Sequence, residues 1–166
     1  MKYLIYLFII LSIMTIGCKN TVQYATGFAD LKKEIYKTAP VIDASDPSTY
    51  ASDCKLEDQK KITFPMAKPA YAILYKDKLF SLTRKLSSSN LNTLIKLMND
   101  TANYKWGEIG TPDFDRYVVI YASNNKCIGL LHISYDGTVH ADPFIKKMKW
   151  GMVDEKTLNK IKEICR

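Results

Sequence analysis

Hydrophobic residues recur every three or four positions in three parts of the chain, which is the spacing of one face of a helix. The three stripes are Tyr24, Phe28, Leu31 and Ile35; Leu91, Leu94, Ile95 and Met98; and Leu158, Ile161 and Ile164. The first stripe ends before Pro40. The second follows a predicted N-cap at Ser88, Ser89 or Asn90, and the third follows a predicted N-cap at Asp154. These patterns predict three helices.

Alternating or continuous apolar runs predict β-strands between the helices. The predicted strands are residues 71–76, 79–86, 116–122, 127–134 and 138–142. The first two form a hairpin that turns at Asp77-Lys78, and the last three form a meander. Because strands joined by short turns pair antiparallel, the sequence predicts an α+β fold: a single antiparallel sheet of about five strands with helices packed on one face.

The segment from residue 39 to residue 69 is rich in Pro, Ser and Asp and has an irregular pattern. We predict a short edge strand near residues 61–64. Its acidic residues lack the alternating ligands and the glycine turn of a calcium loop, so turn and capping roles are predicted for them: Asp43, Asp46, Asp53, Glu57 and Asp58.

The turn that follows residue 134 decides where two histidines point. A two-residue turn at Asp136-Gly137 would place Ile133 opposite His140, whereas a three-residue loop would place His132 opposite His140. The hydrophobic pattern favours the second register. It gathers the apolar residues of the two strands on one face: Leu131, Ile133, Val139 and Ala141.

The opposite face of the meander is the candidate binding face. Its aromatic and histidine residues are Tyr117, Tyr121, His132 and His140, and it also carries Asp142, Val119, Ile128 and Leu130. Exposed aromatic groups on a sheet indicate a contact surface. Other interpretations stay open: His132, His140 and Asp142 could bind a metal ion, or the residues could be ordinary sheet residues or be covered by residues 39–69. No catalytic or cofactor motif occurs, so we predict no cofactor.

Two tripeptides in the chain are identical. Lys105-Trp106-Gly107 recurs as Lys149-Trp150-Gly151, and each Trp is expected to pack over an end of the sheet. Because the flanking residues do not match, we interpret the recurrence as coincidence and not as an internal repeat.

The first eighteen residues carry a single charge, on Lys2, which is followed by an uncharged apolar run to Gly17-Cys18. The run is shorter than the roughly 20 residues of a membrane-spanning helix. This segment resembles a bacterial lipoprotein signal, which implies cleavage after Gly17 and acylation of Cys18. The predicted organisation is a cleaved signal at 1–17, a lipidated cysteine and tether at 18–23, and one α+β domain at 24–166. An ordinary cleaved signal and an uncleaved membrane helix are the alternatives.

The resemblance implies a location in the bacterial cell envelope, with the domain held on a membrane by its lipid and facing the periplasm or the exterior. Such an oxidising location would allow one disulfide among Cys54, Cys127 and Cys165, and all three pairings are open. No Cys/His spacing typical of structural zinc occurs.

The formal net charge of +7 is carried by lysines spread along the chain, which form either a solvated surface or a basic face for phospholipid or an acidic protein partner. We expect no nucleic-acid partner outside the cytoplasm. The leading functional prediction is a non-enzymatic protein-binding module of the inhibitor or immunity type, or an accessory subunit. The alternatives are a small metal-dependent hydrolase that uses His132, His140 and Asp142, and a structural lipoprotein that binds cell wall or lipid.

Overall fold

The computed structural model describes residues 27–43, 46–76, 82–107 and 110–166. Their helices and strands are α1 Phe28–Ile35, α2 Tyr50–Gln59, β1 Tyr71–Tyr75, β2 Leu82–Lys85, α3 Ser88–Asn99, β3 Arg116–Tyr121, β4 Cys127–Ile133, β5 Val139–Asp142 and α4 Glu155–Ile164, with short 3₁₀ helices at Thr101–Asn103 and Lys146–Met148. The predicted signal, tether and Cys18, and the turn at Asp77-Lys78, lie outside the described residues. Within those residues, no helix is both long enough and apolar enough to cross a bilayer.

The five strands form one sheet in the order β2-β1-β3-β4-β5, and every neighbouring pair is antiparallel. The predicted α+β fold with a single antiparallel sheet is therefore confirmed. The central strand β3 is fully buried along its middle: Val118, Val119 and Ile120 each expose 0% of their surface. Since neighbouring side chains of a strand point to opposite faces, both faces of the sheet need a cover.

Helices α3 and α4 cover the first face. Leu91, Leu94 and Met98 of α3 and Ile161 of α4 are buried there against Val118 and Ile120 of the sheet, as the helical stripes predict. The Asp154 side chain accepts a hydrogen bond from the backbone N–H of Thr157 at 2.7 Å, which confirms the predicted cap. The cap of α3 is Ser87, one residue before the predicted positions, and it accepts from the N–H of Asn90 at 3.1 Å.

Helix α1 covers the second face, where Leu31 and Ile35 are buried against Tyr117, Val119 and Leu130. The helices therefore lie on both faces and not on one. The reason is the apolar character of both sets of alternating residues in β3, which leaves neither face free to contact water.

The sheet separates two of the cysteines. Cys127 is buried on the second face and Cys165 on the first, while Cys54 lies on α2 and is partly exposed. All three are free thiols, so none of the possible disulfides is formed among the described residues. Burial raises the pKa of both the Cys127 and the Cys165 thiol to about 12.

The predicted strand at 61–64 is wrong, and the segment before it contains the unpredicted helix α2. Lys61 has a positive φ of 53°, which interrupts any extended run. Phe64 is nevertheless held as a strand residue would be, because the Asn99 side chain accepts from its N–H at 2.8 Å and donates to its carbonyl at 2.6 Å.

The buried Glu57 carboxylate accepts from the N–H groups of Lys146 and Lys147 at 2.5 and 3.1 Å. Glu57, one of the acidic residues predicted to have turn or capping roles, therefore caps the start of the 3₁₀ helix at Lys146–Met148.

The meander has the predicted three-residue loop. The N–H of Ser134 donates to the carbonyl of Thr138 at 2.8 Å, Gly137 has a positive φ of 110°, and His132 lies opposite His140. In the preceding hairpin, Tyr117 opposes His132 and Val119 opposes Leu130. A register shift before Tyr121 pairs that residue with Cys127, and Ile128, which was predicted to lie on the candidate binding face, packs against the first face instead.

The outer edge of β5 is covered by the segment that follows it. The N–H of Val139 donates to the carbonyl of Gly151 at 2.8 Å, and Thr138 forms a bridge with Met152. Gly151 has a positive φ of 89°, and a Cβ at this position would lie 2.4 Å from the Val139 carbonyl oxygen. Only glycine fits so close to the strand.

We expect Asn99→Ala to lower the free energy of unfolding by about 1–3 kcal/mol, because it leaves the Phe64 backbone groups without the side chain that bonds both of them. Chemical denaturation monitored by circular dichroism measures this change. The matched control is Asn92→Ala on the exposed side of the same helix, which should change stability by less than about 0.5 kcal/mol. Equal effects of the two substitutions would contradict the assigned role.

Candidate functional site

The predicted binding face is largely interior. Tyr117 and Tyr121 expose only 1% and 4% of their surface, because α1 lies over them. These two tyrosines are therefore core residues and cannot contact a partner. His132 is partly buried, and His140 is exposed. The structure thus keeps only the histidine end of the predicted face as a candidate site.

A pocket opens at this histidine end, beside β5. Its volume is about 580 Å³, within the range of roughly 300–1,000 Å³ that is usual for ligand sites. We call it the β5 pocket. Its charged, imidazole and aromatic side chains are Lys32, Phe114, His132, His140, Asp142, Phe144, Lys149 and Trp150. They come from α1, the loop before β3, β4, β5 and the loop after β5, so the docking of α1 on the sheet supplies one wall of the pocket, through Lys32.

Asp142 is the centre of a polar network that joins α1 to the pocket. The Tyr36 hydroxyl donates to Oδ1 at 2.9 Å, and Oδ2 lies 3.3 Å from Lys32 Nζ and 3.6 Å from His132 Nε2. Burial alone would raise the pKa of Asp142. The contact with His132, the charge of Lys32 and the hydrogen bond from Tyr36 outweigh burial, so this pKa lies below its ordinary value. Burial and the Asp142 charge raise the pKa of Tyr36 to about 12.

His140 stands at the open side of the pocket. The Phe114 ring packs against both histidines, with its centroid 5.2 Å from each imidazole. Partial burial lowers the pKa of His140 below 6.5, and the positive charges of His132 and Lys32 act in the same direction, while Asp142 opposes them. His140 is therefore mainly a neutral imidazole at pH 7, placed where an incoming anion would favour its protonation.

The two identical tripeptides meet at the rim of the pocket. The ring centroids of Trp106 and Trp150 are 4.9 Å apart in an edge-to-face arrangement, and Tyr50 packs against Trp106 at 5.2 Å. The ammonium group of Lys149 donates to the Tyr104 carbonyl and lies over Trp106 at 5.9 Å. Trp150 thus packs against Trp106, and it exposes 37% of its surface. The sequence pattern identified the tripeptides but not this contact.

The candidate metal ligands are together, but they are arranged as an acid–base network. Across the described parts of the chain, no group of three or more His, Cys, Asp and Glu side chains is placed to hold a metal ion. Tyr36, Lys32 and His132 all approach the Asp142 carboxylate. The arrangement is suited to holding α1 in place and to presenting positive charge beside aromatic rings.

Comparisons of the chain with known family models, curated proteins and solved structures found no match. The chemistry of the β5 pocket is therefore the basis for a functional assignment. It combines two lysines and two imidazoles with three aromatic side chains, Phe114, Phe144 and Trp150.

We expect Tyr36→Phe to lower the free energy of unfolding by about 2 kcal/mol at pH 7, because a hydrogen bond to a charged group is lost. Since the pKa of Asp142 is depressed in the folded chain, this contribution is present above about pH 3.9 and fades as pH falls through the lower folded pKa. Urea denaturation from pH 7 to pH 3 measures it. Tyr71→Phe removes a hydroxyl that donates to neutral, exposed Asn125 and should have less than about 1 kcal/mol of effect. A Tyr36→Phe effect that is independent of pH would contradict the network.

The His140 imidazole should titrate below 6.5 in an NMR experiment that follows its ring protons. Lys32→Met should raise this midpoint because it removes a nearby positive charge. Asp142→Asn should lower it because it removes a nearby negative charge. Shifts in the same direction from both variants would contradict the electrostatic assignment.

Proposed function

We propose that this chain is a lipoprotein of the bacterial cell envelope, anchored through lipid on Cys18, and that it acts as a non-enzymatic binding module for an acidic protein partner. The observation that carries the proposal is the β5 pocket, with exposed Trp150 and His140 beside Lys32. The partner is an enzyme or toxin that the module inhibits, or a complex that it joins as an accessory subunit.

The exposed aromatic group supports a contact role. Trp150 is one of three large hydrophobic residues that are exposed among the described residues, with Val41 and Leu56, and it alone borders a pocket lined by further aromatic rings. Tryptophan is enriched among the residues that dominate binding energy at protein interfaces. Its edge-to-face contact with Trp106 holds the ring in place, so little conformational freedom is lost on binding.

Charge supports an acidic partner. The chain carries a formal net charge of +7, and the two lysines and two histidines of the β5 pocket outnumber its one carboxylate, Asp142. Positive surfaces accelerate association with acidic proteins, and this acceleration weakens with salt. The site therefore suits a partner whose contact surface carries Asp, Glu or a terminal carboxylate.

We expect one envelope protein to be recovered near stoichiometrically when purified chain, tagged at its C-terminus, is mixed with envelope extract at moderate salt. Trp150→Ala should reduce its recovery at least about tenfold, because the central anchor is lost. Leu56→Ala is the matched control, since Leu56 is another exposed apolar residue outside the pocket, and it should leave recovery unchanged. Quantitative mass spectrometry compares the three samples.

Equal recovery with Trp150→Ala and with wild type would contradict the assigned contact site. Recovery of no protein, together with adsorption of the chain to peptidoglycan or to anionic vesicles, would favour a structural wall- or lipid-binding lipoprotein instead.

A further inference from the structure

The β5 pocket has two kinds of surface that meet within one volume. Phe114, Phe144 and Trp150 supply aromatic walls, and Lys32 and His140 supply cationic or protonatable nitrogen atoms. An apolar group alone would not use the nitrogen atoms, and a small inorganic anion would not use the rings. The lining thus favours a ligand that carries an acidic group next to an apolar one.

Lys32 keeps hydrogen-bonding capacity for such a ligand. An ammonium group has three N–H donors, and the contact with Asp142 at 3.3 Å uses one direction. The Lys32 side chain exposes 48% of its surface, whereas the Asp142 side chain exposes 11%. The carboxylate is therefore enclosed by its donors, and the lysine faces the open pocket.

His140 adds a second donor that responds to the ligand. The charged groups that act on its pKa are His132 on β4, Asp142 on β5 and Lys32 on α1, and Lys149 lines the same pocket from the loop after β5. These surroundings on balance disfavour the imidazolium ion. A carboxylate placed beside the ring would favour that ion, so binding would be coupled to uptake of a proton.

We propose that the β5 pocket binds a carboxylate attached to an apolar group, with Lys32 and His140 contacting the carboxylate and Phe114, Phe144 and Trp150 contacting the apolar group. This rests on the proposed function and adds the chemistry of the partner's contact: a chain terminus whose last residue is hydrophobic. A free terminus combines both groups on one residue, and its carboxylate stays ionised above about pH 4.

The test uses the purified chain and the acetylated peptide Gly-Ser-Gly-Phe in two forms, with a free C-terminal carboxylate and with a C-terminal amide. Isothermal titration calorimetry measures affinity, and tryptophan fluorescence reports the approach of the ligand to Trp150. We expect the acid to bind at least about tenfold more tightly than the amide at pH 6, because only the acid forms charge-assisted hydrogen bonds. Equal affinity of acid and amide, or no binding of either, would overturn the proposal.

Substitutions at Lys32 and His140 test whether these side chains contact the carboxylate of the ligand. Lys32→Met should weaken acid binding about tenfold, while Lys33→Met on the same helix should change it less than about twofold, because Lys33 contacts Asp30 and lies outside the pocket. Between pH 7.5 and pH 5.5 the wild-type affinity for the acid should rise several-fold, and His140→Gln should abolish this rise. An equal loss with Lys33→Met, or an unchanged pH profile in His140→Gln, would overturn the assignment of these groups.

A third ligand, 3-phenylpropionate, separates two sources of the same chemistry. Tighter binding of the peptide acid than of 3-phenylpropionate supports a protein terminus, and the reverse order overturns the link to a protein partner and assigns the pocket to a small acid. The result of these peptide-binding experiments does not depend on the result of the partner-capture experiment. Capture that depends on Trp150 without preference for the peptide acid would overturn this inference alone, whereas preference for the acid without any captured partner would count against the proposed function alone.

Discussion

The docking of α1 on the second face of the sheet is the interaction on which the rest of the structure depends. Leu31 and Ile35 are almost completely buried against the sheet, and burial of such side chains contributes about 1.5–3 kcal/mol each. Without this helix, the apolar side of β3 and β4, including Tyr117, would face water. The same docking brings Lys32 and Tyr36 to Asp142, so one helix both completes the core and supplies a wall of the β5 pocket.

The polar network around Asp142 stabilises a mostly buried carboxylate between α1 and the sheet. Removing Asp142 from water disfavours its charge, and the three neighbouring donors reverse that effect. The remaining capacity of Lys32 is directed to the pocket. His140 receives no comparable compensation, which is why its pKa shifts towards the neutral form. His140 and Asp142, two positions apart on β5, thus have opposite electrostatic roles: Asp142 is an anion at neutral pH, and His140 responds to what binds beside it.

Local sequence patterns predicted the features that depend on the spacing of apolar residues. The stripe at Leu91, Leu94 and Met98 predicted helix α3, and the apolar alternation of β4 and β5 predicted the three-residue loop before Thr138. Helix α2 was missed because it has almost no apolar stripe; its attachment depends on Glu57, whose carboxylate caps a 3₁₀ helix nearly ninety residues later. The predicted exposure of Tyr121 failed because no local signal tells which face α1 covers. The contact between Trp106 and Trp150 is likewise long-range, so the repeated tripeptide gave no hint that its copies meet.

The close approach of Gly151 to Val139 has a consequence for encounters between copies of this chain. The last strand of an antiparallel sheet ordinarily offers backbone groups to which another strand can add. Here the chain occupies part of that edge itself, through the bond from Val139 to Gly151 and the bridge between Thr138 and Met152. Two copies of the domain that meet at this edge would find the Val139 backbone already bonded to Gly151, so their sheets could not pair there without first displacing that segment.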